Sequence, residues 1–141
     1  RGVAMISAVT SRIPEFCMSH WLIRIPLIVI FLQQGFDKWP IDADTAAGFE
    51  LTLLVWTFVV LGEIGSGVGL IMGGLLSYTK NWLKELGDLI TRFSGITITG
   101  IMTGVIWVGE PASFWDVILY DNFHVLLWVG GMYFALRGNR T

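Results

Sequence analysis

Glu63 lies near the middle of LLVWTFVVLGEIGSGVGLIMGGLL, Leu53 to Leu76, a run that is otherwise almost wholly apolar. A charged side chain at the centre of such a helix costs about 2.5–3.5 kcal/mol on membrane-insertion scales, and residues of this kind face a bundle interior or a water-filled space. Two chemistries fit it. A partner of opposite charge makes it a structural ion pair. A carboxyl whose pKa is raised by burial makes it a group that handles protons, or one wall of a site for a quinone or another small ligand. Arg24, inside a second apolar run, is the natural cation, so Arg24 and Glu63 form the expected intramembrane polar pair. At about 1.5 Å per helical residue, Arg24 sits about 12 Å and Glu63 about 20 Å from the same membrane face. Tilt and the length of an arginine side chain can close that gap. The structural role is the simpler one, and Glu63 is the one candidate for catalysis.

A second polar cluster follows Arg24 in the stretch FLQQGFDKWP, where Gln33, Gln34, Asp37 and Lys38 fall within a turn or two. Asp37 and Lys38 read as an exposed boundary pair beside the interface anchor Trp39. If this cluster turns inward, it completes a pocket with Glu63. His20 and His124 raise the question of haem, because imidazole is a common iron ligand. They fall near opposite membrane faces in the topology derived below, so they do not form one bis-histidine site, and haem is disfavoured. Cys17 is the single cysteine, which rules out an internal disulfide or a CxxC pair. No metal-spaced cluster, phosphate-binding glycine loop or serine–histidine arrangement is present in the sequence.

The elements that must position these groups are set by composition. The 141 residues are 54% hydrophobic and 14% charged, against about 25% charged in soluble domains, and the mean hydropathy is +0.68. Seven Trp and seventeen Gly suit membrane interfaces and membrane helices. The chain reads as a single all-α transmembrane domain, residues 1–141, with spans at about 16–34, 51–76, 93–108 and 117–136. Between the second and third spans, NWLKELGDLITRF places Trp82, Leu86, Leu89, Ile90 and Phe93 at helical spacing. It is either a short interfacial helix or, as we prefer, an extension of the third span.

Charge gives the orientation. Arg1, Arg12, Lys80, Lys84, Arg92, Arg137 and Arg140 fall on one side, whereas Lys38 lies on the other among Asp37, Asp42, Asp44 and Glu50. The last connection carries Glu110, Asp116 and Asp121 with no basic residue. The positive-inside rule then puts both termini in the cytoplasm. With a net charge of −2 and no basic stripe, nucleic acid is not an expected partner. Gly65, Gly69 and Gly73 recur four apart, and Gly100 and Gly104 lie on a second face with Gly95, Thr99 and Thr103. Small residues so spaced let helix backbones approach closely, so these are expected packing faces.

RIPLIVIFLQQGFDKW, with Arg24, Phe31, Gly35 and Lys38, resembles the first-helix motif of the DoxX-like membrane family. LGEIGSGVGLIMGG resembles its second helix, and NFHVLLWVGGMYFALRGNR its fourth. The resemblance implies a four-helix bundle in the bacterial cytoplasmic (inner) membrane, linked in several relatives to membrane redox chemistry, one being a subunit of a thiosulfate:quinone oxidoreductase. It also implies Arg24, Lys38 and Glu63 as the residues to test. Relatives that pass electrons through disulfides need a dithiol, which this chain lacks.

The expectation is therefore a small accessory or assembly subunit of a larger redox complex, more a non-catalytic component than an enzyme, framing a quinone or lipid pocket. Its partners would be membrane lipid and other membrane subunits. The alternatives are a quinone-linked oxidoreductase subunit with Glu63 handling protons, and a small-solute carrier. The carrier reading is weakened by the lack of an evident inverted repeat.

Overall fold

Apolar runs too long for strands, punctuated by Ser, Thr and Asp at their starts, produce an all-helical chain. The computed structural model describes residues 1–140, which hold seven helices and no strands. These are α1 (Gly2–Thr10), α2 (Trp21–Asp37), α3 (Ala43–Gly48), α4 (Leu53–Leu76), α5 (Trp82–Val108), α6 (Phe114–Tyr120) and α7 (Asn122–Arg137). Three starts are capped by side chains. The Thr52 hydroxyl accepts from Val55 N at the start of α4, Asp42 from Thr45 N at α3, and Ser113 from Asp116 N at α6. Each cap satisfies an amide that the helix leaves without a partner.

Two helices, α4 with 24 residues and α5 with 27, are long and apolar enough to cross a membrane. The segment beginning at Trp82 is one uninterrupted helix with the third apolar run, so no separate interfacial helix stands between the second and third runs. The fourth expected span, 117–136, is divided. Helix α6 ends at Tyr120, Asp121 takes a non-helical backbone (φ −113°, ψ 48°), and α7 starts at Asn122. Asp and Asn favour such breaks because their short side chains compete for local backbone and neighbouring groups. Here the Asp121 carboxylate is 2.7 Å from His124 Nδ1.

Helix α4 packs against α2 on one side and α5 on another, and α5 packs in turn against α7. Their shared core draws on all four: Phe31 from α2, Leu70 from α4, Ile98 from α5, and Leu127 and Phe134 from α7 are buried together. A smaller cluster, Ala46, Trp56 and Val60, fixes α3 on the first turns of α4. Outside this core the surface is apolar as well. Leu22, Leu54, Phe58, Phe93 and Leu126 are each exposed by two thirds or more.

Small residues make the close crossings, but not all the expected ones. Gly69 and Gly73 of α4 do face α5, against Ser94 and against Thr91 and Gly87 respectively. Gly65, Gly100 and Gly104 have no neighbour within 4 Å of where a Cβ would stand. Their four-residue spacing marks a helix face, whereas the rotation of each helix decides which face meets a partner. The α5–α7 crossing uses Gly95 and Gly131 instead: a Cβ on Gly95 would lie 2.5 Å from both the Gly131 oxygen and the Ala135 nitrogen.

Candidate functional site

Glu63 is paired, and its cation is Lys38. The Lys38 ammonium lies 3.1 and 3.0 Å from Glu63 Oε1 and Oε2, and donates also to the Gln34 backbone oxygen at 3.1 Å and Gln34 Oε1 at 3.3 Å. The Glu63 side chain is 4% exposed and that of Lys38 19%. The register of α2 on α4 explains the choice. Gly35 has no side chain to hold the helices apart, and a Cβ there would lie 2.5 Å from Ile64 Cγ1 and 3.3 Å from Glu63 Cβ. The close crossing therefore falls at Glu63, and Lys38 emerges nearly one turn further along α2 beside the carboxylate.

Arg24 and Glu63 are not brought together, which corrects the expected pair. Arg24 is about three turns earlier in α2 than the Gly35 crossing, at the level of Leu70 and Gly74. It is fully buried and forms a centre of its own. Nη1 donates to the Leu70 oxygen (2.8 Å) and Thr91 Oγ1 (3.1 Å), Nη2 to Asn139 Oδ1 (2.7 Å), and Nε to His20 Nδ1 (3.3 Å). The guanidinium also lies 4.7 Å from the Phe134 ring centroid and 5.4 Å from that of Trp21. Among the described residues no carboxylate comes within ion-pair distance of Arg24. Neutral acceptors and aromatic faces stabilise its charge instead.

Asn139 completes this centre. Its side chain accepts from Arg24 and from Thr91 Oγ1 and donates to the Gly73 oxygen at 2.9 Å, while its backbone N–H donates to Asp88 Oδ1 at 2.8 Å. Asp88 in turn receives Arg92 Nε, whose guanidinium caps the end of α7 through the Leu136 oxygen. Sequence reasoning passed over Thr91 and Asn139. The available signal for Asn139 was Gly138 just past the helix, a common helix-ending residue. Its positive φ of 59° turns the chain back, and where it turns to is not encoded locally.

The Lys38–Glu63 pair lies in the wall of a cavity of about 600 Å³, within the range of small-molecule pockets. Most of the wall is apolar, including Phe31, Phe58, Met102, Val105 and Leu127. Gly100 and Gly104 border it, so these glycines open space instead of packing helices. Gln34 and His124 are its other polar side chains. Gln33 and Asp37 are exposed and lie outside the lining, whereas Lys38 turns inward and Gln34 lines the cavity while itself exposed.

Trp56 closes one side of the cavity, 2% exposed, with its ring stacked on Phe49 and 5.9 Å from Lys38 Nζ. Its indole Nε1 is buried without an acceptor among the described residues, a state that costs about 1–3 kcal/mol. Helix α3 supports Trp56 from outside through Ala46. The capping carboxyl of Asp42, fully exposed, is held below the usual carboxylate range by hydrogen bonds from the Thr45 hydroxyl and amide. The cap's contribution is fully present above the usual carboxylate range and is lost as pH falls through the lowered pKa of Asp42. His20 belongs to the Arg24 centre and His124 to the cavity, so the two imidazoles serve separate places. No family model, curated protein or solved structure matches this chain.

Proposed function

We propose that this chain is an integral membrane bundle of α2, α4, α5 and α7, with both termini cytoplasmic, that frames a pocket for an apolar molecule with a polar head, a quinone or a lipid. The observation that carries the reading is the Lys38–Glu63 pair in the wall of an otherwise apolar cavity of about 600 Å³. A carboxylate and an ammonium held in an apolar wall supply hydrogen-bonding groups where a lipid-soluble molecule has its head, and the apolar lining accommodates its body. The membrane setting is supported by α4 and α5, by large apolar residues on the outward faces of all four long helices, and by the charge asymmetry of the connections. Helices α2 and α7, with 17 and 16 residues, fall short of the roughly 20 of a full crossing. Flanking residues before α2, and α6 before α7, make up the remaining thickness.

The sequence resemblance to the DoxX-like family supports the setting proposed for it: a small membrane subunit of a redox assembly in a bacterial inner membrane. Mild detergent extraction from native membranes, with mass identification of everything that travels with the chain, tests both parts. A quinone or lipid retained at a fixed ratio to the chain, together with redox subunits, is the expected result. A chain that emerges alone and empty overturns both. Orientation has a separate readout in a Cys17→Ser, Ser11→Cys variant, whose one thiol stands at an exposed position ahead of the first span. A membrane-impermeant maleimide should leave this thiol unlabelled in sealed cells and label it after permeabilisation; labelling of sealed cells overturns the cytoplasmic N-terminal side.

A further inference from the structure

The charge balance of the cavity wall restricts what it can hold. Lys38 and Glu63 are the fully charged residues of the lining, and they neutralise one another with both carboxylate oxygens within 3.1 Å of the ammonium. His124, the third ionisable lining residue, has Nδ1 2.7 Å from Asp121 Oδ1, so a proton gained there is also met by a carboxylate. Each cationic site in the wall thus already has its anion. The Lys38 ammonium spreads its three N–H groups over four oxygens, two of Glu63 and two of Gln34. A neutral oxygen can take a share of one of these hydrogens, because it adds no charge. An entering carboxylate or phosphate would have to compete with Glu63 for the same cation in an apolar surround. One negative charge would then be left uncompensated, which is strongly unfavourable when buried. Arg24 offers no relief, since it is fully buried in the other polar centre and absent from this lining.

We infer that the cavity selects by charge, taking a neutral apolar molecule with a hydrogen-bond-accepting oxygen and rejecting lipids with an anionic head. The inference rests on the ligand-pocket reading above and narrows it to one class. Glu63 is the specificity residue: by occupying Lys38 it denies that cation to anions.

The test uses the full chain purified in a neutral detergent and two probes that share one hydrocarbon tail, methyl oleate and ionised oleate, with occupancy read by native mass spectrometry. Wild-type protein should retain methyl oleate and bind oleate at least about tenfold more weakly, as follows from the cost of an unpaired buried charge. Glu63→Gln keeps the shape and frees Lys38, so oleate should bind about tenfold more tightly than to wild type. Equal or tighter binding of oleate by wild type overturns the charge inference and leaves the pocket intact. Retention of neither probe overturns the pocket itself, and the inference with it. The wild-type comparison decides the matter even if Glu63→Gln fails to fold; a folded variant without the gain in oleate removes Glu63 as the specificity residue.

Discussion

Arg24→Ala should destabilise the folded chain by about 3–5 kcal/mol, read as a large drop in the thermal or denaturant midpoint in detergent. Two costs combine. The side chain fills space between Trp21 and Phe134, so truncation leaves a cavity that neighbouring helices only partly close. It also removes the donor shared by the Leu70 oxygen, Thr91, Asn139 and His20, groups drawn from α4, α5, the segment after α7 and the residue preceding α2. Arg24→Lys separates geometry from charge. Lysine keeps the charge but presents a compact ammonium in place of a planar fork, so it should recover only part of the loss and remain about 1–3 kcal/mol below wild type. Full recovery with lysine would show that charge alone matters at this position. An unchanged midpoint for Arg24→Ala would refute the centre altogether.

Gly95→Ala is the second large effect, although it adds a single methyl group. That carbon would fall 2.5 Å from backbone atoms of both Gly131 and Ala135, and 2.9 Å from the Phe134 carbonyl carbon. Backbone cannot rotate aside as a side chain can, so α5 and α7 must separate, at a cost of about 1–3 kcal/mol or more. Gly65→Ala and Gly100→Ala are the controls, since nothing stands within 4 Å of the added carbon at either position. Each should leave stability unchanged or raise it by about 0.5–1 kcal/mol through helix propensity. The midpoints of the three variants in one detergent check the contrast. If Gly100→Ala proved as harmful as Gly95→Ala, general intolerance of helix substitution would replace the crossing as the explanation.

These two cases show where sequence reasoning reached and where it stopped. Four-residue spacing singled out Gly65, Gly69, Gly73, Gly100 and Gly104, yet only Gly69 and Gly73 lie at a helix crossing. Spacing reports that residues share a face, while contact depends on how that face is turned. The same limit explains the ionic pairing. Glu63 stands out in any reading because a carboxylate in an apolar helix needs a partner, but the choice between Arg24 and Lys38 depends on the register of α2 along α4. That register follows from Gly35 docking against Ile64 and Glu63, a long-range fit with no local signature.

Composition, apolar run length and helical spacing were enough by themselves to specify an all-helical chain, the positions of α4 and α5, and a buried carboxylate that needs a partner, because each depends on properties local to a few turns. The inward orientation of Lys38, the closure of the Arg24 centre by Asn139, and the opening of a cavity beside Gly100 and Gly104 were decided only by tertiary structure. Each brings together residues far apart in the chain, and helix rotation and register, which set those meetings, are properties of the packed assembly of helices and not of any one of them.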